Sequence, residues 1–416
     1  MNRIYFFIFF VVLYLLLEYY VFQAARFATL GAQTAVRKWL SYCYWVWVFL
    51  PVIGGFFLIR LGSATYPGLR VFITSFFFIN FIAKFFVALL LFGDDLRRFV
   101  SYIAQFFESK QQGRVPGRSE FMNKAALLAG AIPLAGFSFG IISGAHDYRV
   151  RRRVIYSPNL PKVFDGIRVV QISDIHTGSF FNKTAVKGGV DLINQQKADL
   201  VLFTGDLVNN QSDEAKPYLD IFSKIKSPLG VHSIMGNHDY GDYNNWDSIA
   251  AKEADIRNLH EMHRYMGWNI MLNEHKLITV EGESIALLGI ENWGMGRFSK
   301  YGDLAKTFKG SEEIPYKLLM SHDPSHWDSQ VLPSYPAIDL MLAGHTHGMQ
   351  FGVEIGNFRW SPSQYIYKQW ADLYQMGNQS LYVNRGFGYL GYPGRIGILP
   401  EITVLELKRG IAEGKG

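Results

Sequence analysis

Cysteine is almost missing from this chain: Cys43 is the one thiol in 416 residues. An intramolecular disulfide is therefore impossible, and so is a zinc site built from several thiolates. Charge is also thin, with Asp, Glu, Lys and Arg together at 18%. The formal net charge of +6 is not gathered into a dense Lys/Arg tract interleaved with aromatics in the polar part of the chain, which argues against a nucleic-acid partner. The excess lies mainly in loops between apolar segments, where it reads as a topology signal and as attraction to anionic lipid head groups.

What is abundant is apolar sequence near the start. Four segments, Ile4 to Val21, Trp39 to Ile59, Val71 to Phe92 and Ala125 to Ala145, each approach the ~20 residues that cross a hydrocarbon core as a helix. Residues 1–148 are expected to form a transmembrane anchor (helices near 4–21, 39–59, 71–92 and 125–145), and 154–410 a separate soluble domain. Inside the apolar segments Lys84 is expected to snorkel to a helix end, Glu18 lies near an end, and Asn80 needs a helix partner. Basic residues in the first loop (Arg26, Arg37, Lys38) and the third (Arg97, Arg98, Lys110, Arg114, Arg118, Lys124) predict a cytoplasmic-membrane protein of bacterial type with its soluble domain outside. Arg149, Arg151, Arg152 and Arg153 count the other way. The stretch Gly117-Arg118-Ser119-Glu120-Phe121-Met122, before an Ala/Leu/Gly-rich run, resembles a degenerate twin-arginine export signal with Ser119 in place of the second arginine.

After Val154, short apolar runs alternate with helix-length polar stretches. Strands are expected at Ile167–Ile172, Leu200–Thr204, Val231–Met235, Ser284–Ile290, Lys317–Met320, Leu340–Ala343, Leu381–Asn384 and Ile402–Leu407, and helices at Thr184–Gln196 and Asn245–Met266. That alternation predicts an α/β layered domain, a class that places its ligands in loops at the carboxyl ends of strands. Five strand ends carry candidate metal ligands: Asp174 and His176, Asp206, Asn237 beside His238, His322, and His345 with His347. Asp, His and Asn donors without cysteine suit divalent Mn, Zn, Fe, Co or Mg. Seven such residues exceed the needs of one tetrahedral ion and match two. Gly205, Gly236 and Gly344 are read as allowing tight turns beside the ligands. His232, His260, His263, His275 and His326 fall outside these motifs and are expected to be structural.

Asp-x-His, Gly-Asp, Gly-Asn-His-Asp, an isolated His and Gly-His-x-His, in this order over Arg168 to Leu407, resemble the calcineurin-like metallophosphoesterases. Ser321-His322-Asp323-Pro324, Asn384-Arg385-Gly386 and Pro400-Glu401-Ile402 are similar to a membrane-associated bacterial branch of the YkuE and YaeI type; Met349 stands where that branch usually has a glycine. The resemblance implies a four-layer α/β/β/α sandwich and a dinuclear centre. Asp174, His176 and His347 would hold one ion, Asn237, His322 and His345 the other, and Asp206 would bridge them. It further implies His238 as proton donor, Asp239 as the residue that orients or supports it, and hydrolysis of a phosphate mono- or diester by a metal-bound hydroxide. Arg385 and Arg395 are candidates to meet a substrate phosphate, and the anchor suggests a lipid-linked or envelope substrate. Two alternatives stand beside this: a cytoplasmic UDP-diacylglucosamine pyrophosphohydrolase-like enzyme of lipid A synthesis, and a membrane receptor or scaffold that uses the domain only for binding.

Overall fold

A computed structural model describes residues 3–61, 67–107, 120–296, 298–356 and 358–411. Lys110, Arg114, Arg118 and the Gly117 to Ser119 part of the export-like stretch lie outside them. The chain divides into two compact units, Met1–Phe139 and Gly140–Gly416.

Four apolar helices open the chain: α1 (Arg3–Ala28), α2 (Thr34–Leu61), α3 (Pro67–Phe107) and α4 (Glu120–Ile142). Each supplies a stretch long and apolar enough to cross a bilayer, at Val11–Ala28, Thr34–Phe57, Val71–Gln105 and, for α4 with the turn that follows it, Glu120–His146. Several polar residues of this unit pair with one another across helices. Lys84 does not snorkel; its Nζ lies 2.7 Å from Glu18 Oε1, and Glu18 is fully buried. Tyr44 donates to Glu18 Oε2 at 2.7 Å. Asn80 finds its helix partner in the Trp47 indole N–H, 2.6 Å from its Oδ1. In an apolar medium each such bond replaces a hydration shell that lipid cannot supply, so the network fixes how α1, α2 and α3 meet.

The second unit is built on two six-stranded sheets. The first runs in the order β1 (Arg149–Ser157), β14 (Glu401–Arg409), β2 (Arg168–Ile172), β3 (Leu200–Phe203), β4 (Val231–Ser233), β5 (Trp268–Ile270). The second runs β12 (Asp372–Met376), β13 (Gln379–Val383), β9 (Leu340–Ala343), β8 (Lys317–Met320), β7 (Glu283–Gly289), β6 (Glu274–Val280). Strands β2 to β5 are parallel, as are β7, β8, β9 and β13. Within them β3 (Leu-Val-Leu-Phe) and β9 (Leu-Met-Leu-Ala) are continuous apolar runs, because both of their faces are covered. Val169, Leu200, Leu202, Leu318, Leu340 and Leu405 fill the layer between the sheets. Outside the first sheet lie α5 (Lys183–Gln195) and the helix Ile249–Tyr265, which bury Val186, Val190, Ile193, Leu259 and Met262. Shorter helical turns around Leu304, Trp327 and Val331 cover the second. The layers are those of the metallophosphoesterase fold.

Candidate metal centre

The parallel strands of both sheets end at one rim, and the expected residues stand there. Asp174 and His176 follow β2, Asp206 follows β3, Asn237 follows β4, His322 follows β8, and His345 and His347 follow β9. Two ligand groups form: in each of Asp174, His176, His347 and Asp206, His322, His345, the donor atoms lie within 4.8 Å of one another. Asn237 joins the second group through its Oδ1, 2.8 Å from His345 Nδ1. Asp206 reaches toward both, with Oδ2 3.5 Å from His176 Nε2 and 3.2 Å from His322 Nε2.

Turning five side chains inward from strand ends costs backbone strain. Asp174, His176, Asp206, His345 and His347 all have φ between 50° and 69°, a region that non-glycine residues seldom occupy. The glycines serve the same packing. Gly205 is left-handed at φ 97°, and a Cβ there would meet the Gly236 backbone nitrogen at 2.5 Å. At Gly344 a Cβ would collide with Ser173 and the Asp174 carboxylate. Met349 also sits at φ 50°, a conformation glycine adopts more readily.

The donors fit divalent ions on their own chemistry. Both ring nitrogens of His176 and the Nε2 atoms of His322 and His347 are buried and make no hydrogen bond, whereas buried imidazoles ordinarily find partners. All are aimed among carboxylates. Three imidazoles have their second nitrogen held: His322 Nδ1 lies 2.7 Å from the Thr204 carbonyl, His345 Nε2 lies 2.8 Å from the Tyr367 hydroxyl, and His347 Nδ1 lies 3.1 Å from the Arg395 guanidinium. Such contacts fix the tautomer and aim of a ligating ring.

Charge in the pocket is strongly coupled. Burial opposes the Asp206 charge, but the imidazoles of His322 and His238 outweigh it and hold the carboxyl well below its usual range. The reciprocal effect lifts His322 to about 10 against its own burial. Burial pushes Asp174 up to about 6 and His176 down to about 3. A cation bound there would take the place of the proton that His322 holds against Asp206.

Other expected residues stand differently. His238 is half-buried at the rim; its backbone N–H donates to Asp206 Oδ1 at 2.9 Å, and its Nδ1 lies 2.7 Å from the Asn209 carbonyl. That carbonyl, and not Asp239, orients the ring. Asp239 instead accepts the backbone N–H groups of Asp206, Leu207, Val208 and Gly236 at 2.8 to 3.1 Å, so it shapes two ligand loops. The arginines require a correction too. Arg385 is fully buried and pairs with Glu401 at 2.6 Å and Glu354 at 2.7 Å. Arg395 is spent on the carbonyls of Gly386 and Gly388 and on His347 Nδ1 at 3.1 Å. Their planar donor forks are filled by protein, which leaves none for substrate. Of the remaining histidines, His263 binds Ser233 and His326 binds Ser321.

Two residues that sequence reasoning passed over stand at the centre. Besides Tyr367, the Tyr243 hydroxyl accepts from Asn237 Nδ2 at 2.9 Å, and its ring lies 4.7 Å from that of His238. Tyr367 stands in a loop away from every motif, and Tyr243, four residues after Asp239, is no part of the motif it follows, so spacing did not single them out.

Comparison with known proteins agrees with this architecture. Residues 2–145 match the family described as "Probable Calcineurin-like phosphoesterase, transmembrane domain", and residues 167–349 match "Calcineurin-like phosphoesterase". The chain is similar to the uncharacterized metallophosphoesterase YkuE of Bacillus subtilis, 29% identical over 288 residues that cover 68% of this chain and 94% of that one. It is 26% identical over 400 residues to an uncharacterized metallophosphoesterase of Helicobacter pylori, covering 94% and 96% of the two chains. With the phosphodiesterase YaeI of Escherichia coli it shares 26% identity over 244 residues, 58% of this chain and 82% of that one. Four apolar helices, two sheets meeting at an Asp/His/Asn rim and these relatives together place the chain among the calcineurin-like metallophosphoesterases, as a membrane-associated, metal-dependent phosphoester hydrolase.

Proposed function

We propose that this protein is a membrane-anchored dinuclear-metal phosphoesterase that cleaves a phosphate mono- or diester carried by a lipid or another envelope component. The observation that carries this reading is the pair of buried ligand groups that meet at Asp206, with imidazole nitrogens of His176, His322 and His347 left without hydrogen bonds. Asp174, His176 and His347 would hold one ion, Asn237, His322 and His345 the other, and Asp206 would serve both. Mn, Zn, Fe, Co or Mg all suit these donors. When bound, two such ions supply Lewis acidity that offsets phosphoryl charge and lowers the pKa of water toward neutrality.

The chain's own groups do the rest. With Nδ1 directed at the Asn209 carbonyl, His238 keeps Nε2 for substrate. As an oxygen from water bonds to phosphorus and the phosphorus–oxygen bond to the leaving group breaks, Nε2 gives its proton to the departing oxygen, which leaves as an alcohol. Asp206 fixes this geometry from the side, because its Oδ1 accepts the His238 backbone N–H. Asp239, through four backbone N–H groups, keeps the Asp206 and Asn237 loops in register.

An anchor of four apolar helices supports a substrate met at the bilayer, and the basic loops support an exterior catalytic domain. The test is direct. Full-length protein loaded with Mn or Zn, beside Asp206→Ala, is incubated with simple phosphodiesters, with extracted envelope lipids and with UDP-linked lipid precursors. A species consumed only by the unaltered protein identifies the substrate class, and no consumption of any phosphoester with metal retained would leave only the binding role. A reporter fused after Lys408 that scores cytoplasmic would overturn the exterior placement and favour the lipid A pyrophosphohydrolase alternative.

A further inference from the structure

Between the ligand His347 and the supporting Tyr367 the chain leaves the sandwich as a two-stranded ribbon, β10 (Val353–Ile355) and β11 (Phe358–Trp360), followed by a helical turn at Pro362–Tyr365. Its side chains are sorted in the opposite sense to a water-facing hairpin. Glu354 and Arg359 pair across the ribbon on the inner face. There Glu354 meets Arg385 at 2.7 Å, and Arg359 meets Asp372 at 3.1 Å. On the outer face Val353 lies opposite Trp360 and Ile355 opposite Phe358. Ile355 is 73% and Phe358 62% exposed; next to them Tyr365 is 75% and Ile366 65% exposed. The Trp360 indole N–H points at the Tyr365 hydroxyl, 3.4 Å away, which ties turn and ribbon into one apolar surface. Contiguous apolar surface of this kind on a folded domain marks a binding face.

The position of the ribbon selects its occupant. The candidate span Glu120–His146 ends within the catalytic unit, where the Gly140 carbonyl accepts the Arg395 N–H at 3.1 Å and Gly144 has no room for a Cβ against the Arg395 carbonyl. The next residue, Ile396, pairs with the base of the ribbon: it bridges Phe351, its N–H donates to Gln350 at 2.8 Å, and its carbonyl accepts from Gly352 at 2.9 Å. The base of the ribbon is thus tied through Arg395 and Ile396 to the end of the candidate span, and Ile142 at that end is itself 82% exposed. Trp and Tyr at its edge, with Lys368 79% exposed beside them, give the mixture that favours the boundary between acyl chains and head groups.

We propose that the β10–β11 ribbon and the Tyr365–Ile366 turn form a second membrane contact, which seats the catalytic domain on the lipid surface with its metal-site rim at head-group level. This contact rests on membrane anchorage and not on the identity of the substrate. Because the chain has one cysteine, labelling is clean: full-length protein with Cys43→Ser carries a nitroxide at Ile355→Cys or Phe358→Cys, with Leu277→Cys on β6 as reference, in phosphatidylcholine/phosphatidylglycerol nanodiscs. The expected result is relaxation severalfold more sensitive to oxygen, which partitions into lipid, than to a water-soluble nickel chelate at 355 and 358, with the reverse at 277. Equal, water-like access at all three positions would overturn the proposal. So would dipolar broadening between labels at 355 on two chains, which would assign the face to a second copy. Either failure leaves phosphoester hydrolysis untouched.

Discussion

The backbone N–H of His345 lies 3.0 Å from each carboxylate oxygen of Asp174. One residue follows β2 in the first sheet and the other follows β9 in the second, so a single carboxylate links the two sheets at the rim while offering oxygens to the pocket. Both residues hold positive φ, which the link helps to stabilise. Asp174→Ala therefore removes a proposed metal ligand and a clamp together. Expected is loss of bound metal by elemental analysis and a fall of phosphoester hydrolysis to background; full metal content with normal turnover would contradict the assigned role.

Tyr367 presents its hydroxyl 2.8 Å from His345 Nε2, an arrangement that would steady the ring in its proposed ligating role. Tyr367→Phe keeps the ring and deletes the bond. The metal concentration for half-maximal activity should rise about 10- to 100-fold, with KM little changed. A large KM increase at saturating metal would instead assign the hydroxyl to substrate.

Arg385 is enclosed by Glu401 and Glu354, with its side chain fully buried. Arg385→Met leaves Glu401 without this partner, and breaking a buried ion pair costs about 3–5 kcal/mol. A large drop in thermal stability is expected, with KM for a phosphodiester unchanged in whatever folds. Unchanged stability with a raised KM would restore a direct contact with substrate.

His263 is buried against Ser233 and Trp268, and burial lowers it to about 3 from an ordinary 6.5. Its folded value is depressed, so its stabilising effect is complete above pH 6.5 and is lost as pH falls toward 3, by roughly 5 kcal/mol at most. Denaturant unfolding followed by tryptophan fluorescence should show stability declining through that window. His263→Gln should flatten the decline; an identical slope in the variant would place the acid sensitivity elsewhere.

Much of the frame was legible in residue order. The runs at β2, β3, β8 and β9 are almost wholly apolar because both faces are covered, with Gln171 in β2 and Lys317 in β8 as the buried polar exceptions, and the Asp, His and Asn after them stand out against that background. The strand β1 was not legible. Arg-Val-Arg-Arg-Arg-Val-Ile-Tyr-Ser reads as a basic loop until its partners are known: it pairs in parallel with β14, Arg151 meets Glu354, and Arg153 lies 2.7 Å from Asp372. The edge strands β6 and β12 escaped notice for a related reason, because exposure on one face dilutes their apolar pattern.

The sequence by itself determined four membrane-competent helices, an α/β domain and the residues that end its strands, since each follows from local hydrophobic period and side-chain chemistry. Tertiary structure alone decided that Asp239 serves backbone amides while Asn209 aligns His238, and that Arg385 and Arg395 face protein. It also decided that Tyr243 and Tyr367 adjoin the centre and that the β10–β11 ribbon turns its apolar side chains outward. These depend on which distant segments share a donor or a surface, and only packing of the whole chain fixes that.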